Sequence, residues 1–408
     1  MTTMADNKEN RIPNVPHLRF PEFDGEWEES TIGEQFDLYS GNTPSRLNKE
    51  HFNGSINWIS SGELKEHYIK DSKEKISEEA AKNLKMLPKG TFVIAIYGLE
   101  AEGVRGTGSI LLNNATISQA CMAFSHKAEI TNEFLYSWYK KHGNVIGIRY
   151  AQGTKQQNLS YDILEKFKIS YPAIQEQEKL NRFISLLDKR ITTQNKIIED
   201  LKKLKSAISK HLFARKDLLE TTICLLDIAT LKNGYAFQSG KYNELGKWKI
   251  LTISNVAGER YINDENCNCI IDLPNDIQDH QVLKEGDILI SLTGNVGRVS
   301  LCKDGDYLLN QRVGLLQLTK NVNQEFLYQI LSSQRFENSM IACSQGAAQM
   351  NIGKGDVESY VLPYSSNINN ILLVATILHS YDEYIINEQR RQTLLTMQKQ
   401  YLLTQMFI

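Results

Sequence analysis

Between residues 174 and 215 the apolar positions of this chain fall into a regular seam. Leu180, Ile184, Leu187, Ile191, Gln194, Ile198, Leu201, Lys205, Ile208 and Leu212 step alternately by four and three, and only Gln194 and Lys205 are polar. A repeat of about 3.5 residues predicts a long helix packed lengthwise against another helix. No Pro or Gly interrupts residues 173–216, and at about 1.5 Å per residue such a helix would reach roughly 60 Å. A second stripe lies at the other end of the chain. Residues 183–213 align with 377–407 without a gap, placing Asp188 on Asp382, Ile191 on Ile385, Leu201 on Leu395, Lys205 on Lys399 and Phe213 on Phe407. Its seam is Val374, Leu378, Tyr381, Ile385, Glu388, Gln392, Leu395, Lys399, Leu402 and Met406.

The segments before the two helices repeat as well. Residues 17–172 read as short β-type runs broken by turns. Leu87-Pro88-Lys89-Gly90 leads into a buried strand at 91–96, a Gly-rich connection leads to a strand at 109–112, and a short amphipathic helix covers 132–141. Residues 217–365 keep this order. Leu283-Lys284-Glu285-Gly286 again precedes an apolar run, and Glu325-Phe326-Leu327-Tyr328 repeats Glu133-Phe134-Leu135-Tyr136 letter for letter. Gly346 to Ile352 matches Gly153 to Leu159, keeping the Gly, Gln and Asn. Matched order and spacing indicate an internal duplication. The expected organisation is an N-terminal arm (1–16), a first globule (17–172), a long helix (173–216), a second globule (217–365) and a second long helix (366–408). Paired helices of this connectivity would run antiparallel, relating the globules by a pseudo-twofold. Two heads on a helical spacer suit a bipartite target such as duplex DNA, which repeats every ~34–36 Å.

Composition narrows the function classes. The chain has 408 residues, 41% hydrophobic and 23% charged, ordinary for a soluble globular protein. It contains no apolar run long enough for a membrane span and no apolar leader segment. Six scattered cysteines, with one Cys267-Asn268-Cys269 pair, do not make a zinc site; they read as reduced cytosolic thiols. Residues 174–216 carry 11 Lys/Arg against 5 Asp/Glu, whereas 17–172 carry 18 against 20 and 217–363 carry 12 against 18. Nucleic-acid contact by the heads would therefore come from local loops rather than bulk charge.

No catalytic signature emerges. Ser239-Gly240-Lys241-Tyr242 lacks the surroundings of a phosphate loop, and Gly103, Gly106 and Gly108 precede a strand rather than a helix. A nucleophile elbow, a zinc-protease helix and a methylase loop are likewise absent.

Several short motifs, in this order, carry a resemblance. They are Val15-Pro16-His17-Leu18-Arg19-Phe20-Pro21-Glu22-Phe23-Asp24-Gly25-Glu26-Trp27-Glu28, then Ser40-Gly41-Asn42-Thr43-Pro44, Gln157-Asn158-Leu159, Ile174-Gln175-Glu176-Gln177 and the ending Gln405-Met406-Phe407. The chain resembles, over essentially its whole length, the specificity subunit of type I restriction–modification systems. One departure is the start of the second helix, Asn369-Asn370-Ile371, which lacks the Glu-Gln pair. The resemblance implies an α+β fold of two tandem mixed α/β target-recognition domains separated by two long antiparallel coiled-coil helices. It implies a non-catalytic cytoplasmic subunit that reads a split site in double-stranded DNA. Two modification (methyltransferase) subunits and the restriction (translocase/nuclease) subunits would be its partners, bringing S-adenosylmethionine, ATP and Mg2+. The alternative is a coiled-coil scaffold whose acidic heads bind proteins.

Base edges and phosphates call for Arg, Lys, Asn, Gln, Ser and Thr on loops. In the first head these are Thr43, Arg46, Ser60, Ser61, Arg105, Thr107, Lys155, Gln156 and Asn158. In the second head they are Tyr235, Gln238, Ser254, Asn255, Thr293, Asn295, Arg298, Arg312, Gln349 and Asn351. The Gln156/Asn158 and Gln349/Asn351 pairs recur in both heads, which favours phosphate contact or loop stabilisation over reading of bases. Lys202, Lys203, Lys205 and Lys210 on the first helix face either spacer phosphates, solvent or an acidic partner.

Overall fold

The structure, a computed structural model, describes residues 13–101, 103–153, 157–319, 322–344 and 350–408. The chain forms two compact units, Met1–Gln194 with Arg391–Ile408, and Asn195–Arg390. Each unit therefore holds one head together with the beginning or end of both long helices. Residues 1–12 of the expected arm lie outside the described residues. Its last residues are pinned: Asn14 exchanges backbone and side-chain hydrogen bonds with Trp27 and accepts from the Ser170 hydroxyl.

In the first unit the strands Phe36–Ser40, Cys121–His126, Phe92–Ala95, Gly108–Leu111 and Tyr68–Ile69 form a five-stranded sheet in that order. Neighbours are antiparallel except the last pair. A smaller sheet sets Ile56–Ile59 between antiparallel Glu74–Ile76 and parallel Thr116–Ile117. Glu28–Thr31 pairs with Lys168–Tyr171, joining the start of the head to its end.

The second unit repeats this plan with one strand fewer in its main sheet. Ala229–Asn233, Val313–Leu318, Ile288–Ser291 and Val299–Leu301 make an antiparallel sheet in that order. Trp248–Leu251 lies between antiparallel Asn268–Ile270 and parallel Tyr307–Leu309, and Thr221–Cys224 pairs with Val361–Tyr364. The fifth strand is reduced to one parallel bridge, Tyr261 to Leu301, where the first head sets Tyr68 opposite Ile110. Phe92–Ala95 and Ile288–Ser291, the unbroken apolar runs, are fully buried, as expected of strands covered on both faces.

The helix Asn132–Tyr150 is 19 residues long, reaching well past the 132–141 expected. Gly143 and Gly147 read as a stop in sequence, yet they are packing positions. A Cβ on Gly143 would meet the Gly106 backbone at 3.0 Å, and one on Gly147 would meet the Arg105 side chain at 2.5 Å. Close approach of the Gly103–Gly108 connection to this helix thus explains the glycines on both sides.

The long helices span Ile174–Ala214 and Ile368–Met406. All ten seam positions on each are buried or half-buried, while Lys202, Lys203 and Leu204 are exposed. In the first unit Leu180 and Ile184 share a core with Leu402, Met406, Phe407 and the head residues Phe134 and Leu135. In the second unit Leu212 and Phe213 share a core with Val374, Leu378, Phe326 and Leu327. Within each unit the two helix segments run in opposite directions: Asp188 pairs with Lys399, and Lys205 with Asp382.

The first helix starts on its Glu-Gln pair. Glu176 is 2% exposed and takes both arms of Arg19 at 2.8 and 2.6 Å. Buried Gln177 accepts from Thr131 N and donates to Pro172 O and Glu129 O. The second helix, lacking that pair, uses Asn370, which donates to Leu218 O. Among the described residues no helix is long and apolar enough to cross a membrane.

Candidate nucleic-acid interface

Strand register brings most of the expected loops of each head to one end of its main sheet. In the first head Ser40 pairs with Met122 and Ala95 with Cys121, so the loops after residues 40 and 95 and before 121 share that end. Ser118 N bonds Ile59 O, drawing Ser60 and Ser61 to the same place. In the second head Asn233 pairs with Gly314 and Ser291 with Val313, and Asn310 N bonds Leu251 O. Tyr235, Thr252–Asn255, Thr293–Asn295 and Arg312 consequently gather there.

A glycine at each end frames the loop between the second and third strands in both heads. A Cβ at Gly41 would lie 2.3 Å from Ile117 O, and at Gly234 2.2 Å from Asn310 O. At Gly54 it would lie 2.1 Å from Ile76 O, and at Gly246 2.6 Å from Ile270 O. These are close backbone passages that only glycine permits. Between the two glycines the heads present different side chains where contact is expected, Thr43 and Arg46 in the first and Tyr235 and Gln238 in the second, although both loops also carry Ser, Lys, Asn and Glu.

In the first head Thr43 is half-buried, and its N–H donates to Asn42 Oδ1. Arg46 forks onto Glu74 at 2.9 and 2.8 Å, with its guanidinium 4.5 Å from the Phe52 ring. It remains exposed, so a phosphate could compete for it. Ser60 and Ser61 begin a single turn in which the Glu63 carboxylate accepts from the Ser60 N–H and hydroxyl at 2.9 and 2.6 Å. The Thr107 hydroxyl donates to Val104 O within its own turn. The Ser60 and Thr107 hydroxyls each donate within their own turn. Arg105 donates to Gln157 Oε1 at 2.9 Å, so Gln157 orients it. Lys155 and Gln156 lie outside the described residues. Asn158 bridges Gln152 through the backbone, and Leu159 N bonds Ile96 O, tying this loop to the sheet end.

In the second head Tyr235 donates to Asp276 at 2.8 Å, and that carboxylate raises the phenol pKa. Tyr235, Phe237, Gln238, Lys241 and Tyr242 line an open cleft of about 490 Å³. Tyr235 and Gln238 of this lining are among the expected contact residues, and Phe237 and Tyr242 extend its aromatic wall. Asn255 is 4% exposed and satisfied internally by Thr252 N, Asn263 O and Cys267. Its amide holds the turn that presents Ser254 at the surface. Ser254 exchanges a hydrogen bond with Thr252 at 2.9 Å. Thr293 donates to Asn351 Oδ1 at 3.1 Å, and Gly294 N bonds Met350 O, matching the loop attachment of the first head. Gln349 lies outside the described residues. Arg298 reaches Glu337 and Ala257 O at 3.3 and 3.4 Å. Asn295 and Arg312 are exposed at the sheet end.

Comparisons with known proteins follow this geometry. The pattern of the Type I restriction modification DNA specificity domain matches twice, at residues 24–203 and 220–396. The chain is 26% identical over 358 residues, 82% of its length and 80% of the relative's, to the type I restriction enzyme MjaVIII specificity subunit of Methanocaldococcus jannaschii. It is 32% identical over 208 residues, half of each chain, to the EcoR124I/EcoR124II specificity subunit of Escherichia coli. Among solved structures it resembles the type I S subunit of M. genitalium, with a TM-score of 0.57 at 17% identity, covering 97% of this chain and 99% of that one. A chain from a type I complex described in terms of assembly and conformational transition gives 0.56 at 14% identity, covering 95% and 98%. Two domain matches spanning both heads and most of both helices make this chain a member of the type I restriction–modification specificity subunit family.

Proposed function

We propose that this chain is the sequence-specific DNA-recognition subunit of a type I restriction–modification complex. Residues 17–172 and 217–365 serve as its two target-recognition domains, each reading one half of a bipartite site. The paired helices set the gap and dock two modification subunits, and restriction subunits join the larger assembly in the cytoplasm. Methyl transfer with S-adenosylmethionine, and ATP- and Mg2+-dependent translocation and cleavage, belong to those partners. The chain itself performs recognition and no bond-making step.

One observation carries this reading: the strand plan occurs twice, with the same glycine frame and different polar side chains at the sheet end. A shared frame with divergent contacts is what two readers of unlike half-sites require. Asn295, Arg312, Gln238 and Lys241 in the second head, and Arg46 in the first, are exposed for contact, with Arg105 and Thr43 partly exposed beside them. The recurrent Asn158 and Asn351 loops stabilise the sheet end. The test is equilibrium binding of the assembled methylase complex to duplex DNA across a salt series. Recognition predicts site-selective affinity with a linear fall of log K against log salt. An assembled complex with no DNA affinity would favour the protein-binding scaffold.

A further inference from the structure

Both heads share the tetrapeptide Glu-Phe-Leu-Tyr, and in both its glutamate joins an ion cluster between head and helix segments. In the first unit His67 stands between two carboxylates. Its Nε2 is 2.9 Å from Glu133 Oε2 and its Nδ1 is 3.2 Å from Asp188 Oδ2. Lys399 Nζ lies 2.5 Å from the other oxygen of Asp188, and the imidazole stacks on Tyr68 and Tyr136 at 4.0 and 3.9 Å. In the second unit Arg260 occupies the matching place. Its Nη2 is 2.6 Å from Glu325 Oε2, its Nη1 is 3.0 Å from Asp382 Oδ2, and Lys205 Nζ lies 2.6 Å from Asp382 Oδ1. The guanidinium lies 5.5 Å from the Tyr261 ring and 5.1 Å from the Tyr328 ring. The second cluster adds Gln329, which donates to Glu325 and Asp382 at 2.7 and 2.6 Å, and His379, 3.7 Å from Glu325, where the first has Ser137 and Ser185. The carboxylates, lysines and tyrosines of the two clusters occupy matching positions, and among these shared members only the central cation differs in kind.

That difference has a chemical consequence. Arginine keeps its charge at any pH a protein survives, whereas neutral imidazole has one N–H for two carboxylates. The Nδ1–Asp188 contact is too oblique for a well-formed hydrogen bond, and neither atom has another hydrogen-bond partner. Deprotonation of His67 therefore sets a lone pair against a carboxylate and leaves Lys399 as the one cation directly paired to them. The groups facing the ring are Glu133, Asp188, Lys399, Tyr68 and Tyr136. Lys140 lies 5.2 Å from the Tyr136 ring, its own pKa pushed down to about 8 by burial and Lys399, and Glu66 adds charge nearby. Burial opposes the His67 charge, but the two carboxylates, Asp188 and Glu133, outweigh it, raising the ring above its ordinary pKa of 6.5. A raised folded-state value means the stabilisation is complete below the unfolded pKa and is lost as pH rises through the folded one.

We propose that His67 and Arg260 are equivalent positioning residues that key each head onto the helix segments of its own unit, and that reading by the first head alone weakens as pH rises. This inference rests on the two-head reading above.

The test uses the full chain with its modification subunits on duplexes bearing the mapped site, altered at one base in either half. The half-site that changes when residues 217–365 are exchanged belongs to the second head. Discrimination is the ratio of methylation rates on intact and altered duplexes, compared at about pH 6.5 and about pH 8.5, on either side of a raised histidine. Discrimination by the first head should fall several-fold and that by the second should hold. His67→Arg should flatten the first profile, and Arg260→His should give the second head a falling one. Hydrogen exchange of the unmodified complex, corrected for intrinsic rates, should show helix Asn132–Tyr150 losing protection relative to Gln324–Leu331. Parallel profiles for both heads would overturn the inference while leaving bipartite reading intact. A slope that survives His67→Arg would do the same and assign the titration to Lys140. Failure to methylate any bipartite motif would instead remove the functional reading beneath it.

Discussion

Arg260 and Arg46 are both paired with carboxylates, yet burial makes them opposite cases. Arg260 and Asp382 are 7% and 8% exposed in their side chains, so truncating the arginine leaves two carboxylates, Asp382 and Glu325, with Lys205 as the near cation on Asp382 alone. Arg260→Ala should cost about 3–5 kcal/mol, read as a lower denaturation midpoint for the unit Asn195–Arg390. Arg46 and Glu74 are 57% and 44% exposed, and Arg46→Ala should cost under about 1 kcal/mol of stability. Arg312, exposed at the sheet end, should show the reverse balance. Its alanine variant should fold normally, lose about 1–3 kcal/mol of DNA binding and, if it touches phosphate, lower the salt slope by about one. Acid reports on another contact. Glu220 accepts from Ser365 and from the Ser366 N–H and hydroxyl, which hold its pKa near 2. A depressed carboxylate stabilises above its ordinary value of 4.5 and loses that effect as pH falls toward 2. The Ser366 amide should lose exchange protection over that window in the wild type, and Glu220→Gln should lack the protection throughout.

At the scale of elements, helix period was the most legible feature of the chain. Ten seam positions on each long helix could be named because a repeat of about 3.5 residues persists without Pro or Gly. The energetic contrast along this helix is direct. Ile184 is fully buried and Leu204 is 47% exposed. Ile184→Ala should cost about 2–5 kcal/mol and Leu204→Ala no more than about 0.5 kcal/mol, measured by urea unfolding. Sheet pairing was not legible, because Tyr68–Ile69 beside Gly108–Leu111 is a non-local choice that no local pattern encodes. Helix Asn132–Tyr150 was cut short in sequence, since Gly143 and Gly147 have the same letters whether they end a helix or admit a neighbour. The burial of Asn255 was likewise not legible, because an amide that holds a turn and one at the surface have the same letter. The ion clusters left one trace, the recurrent Glu-Phe-Leu-Tyr. Following Glu133 and Glu325 to the matching positions His67 and Arg260 would have found them, but a histidine opposite an arginine does not look like a repeat.

For the whole molecule, duplication is the organising fact. Each head repeats one strand plan, buries one Glu-Phe-Leu-Tyr segment and shares a core with one end of each long helix. The heads are acidic overall, so recognition rests on the few exposed groups at each sheet end rather than on bulk attraction. The most direct test of two-headed reading is methylation mapping by long-read sequencing in a host supplied with this chain and its modification subunit, before and after residues 217–365 are exchanged for those of a relative. The account predicts one split motif with a constant gap, of which the exchange alters one half and spares the other. A continuous motif, or an exchange that rewrites both halves, would contradict it.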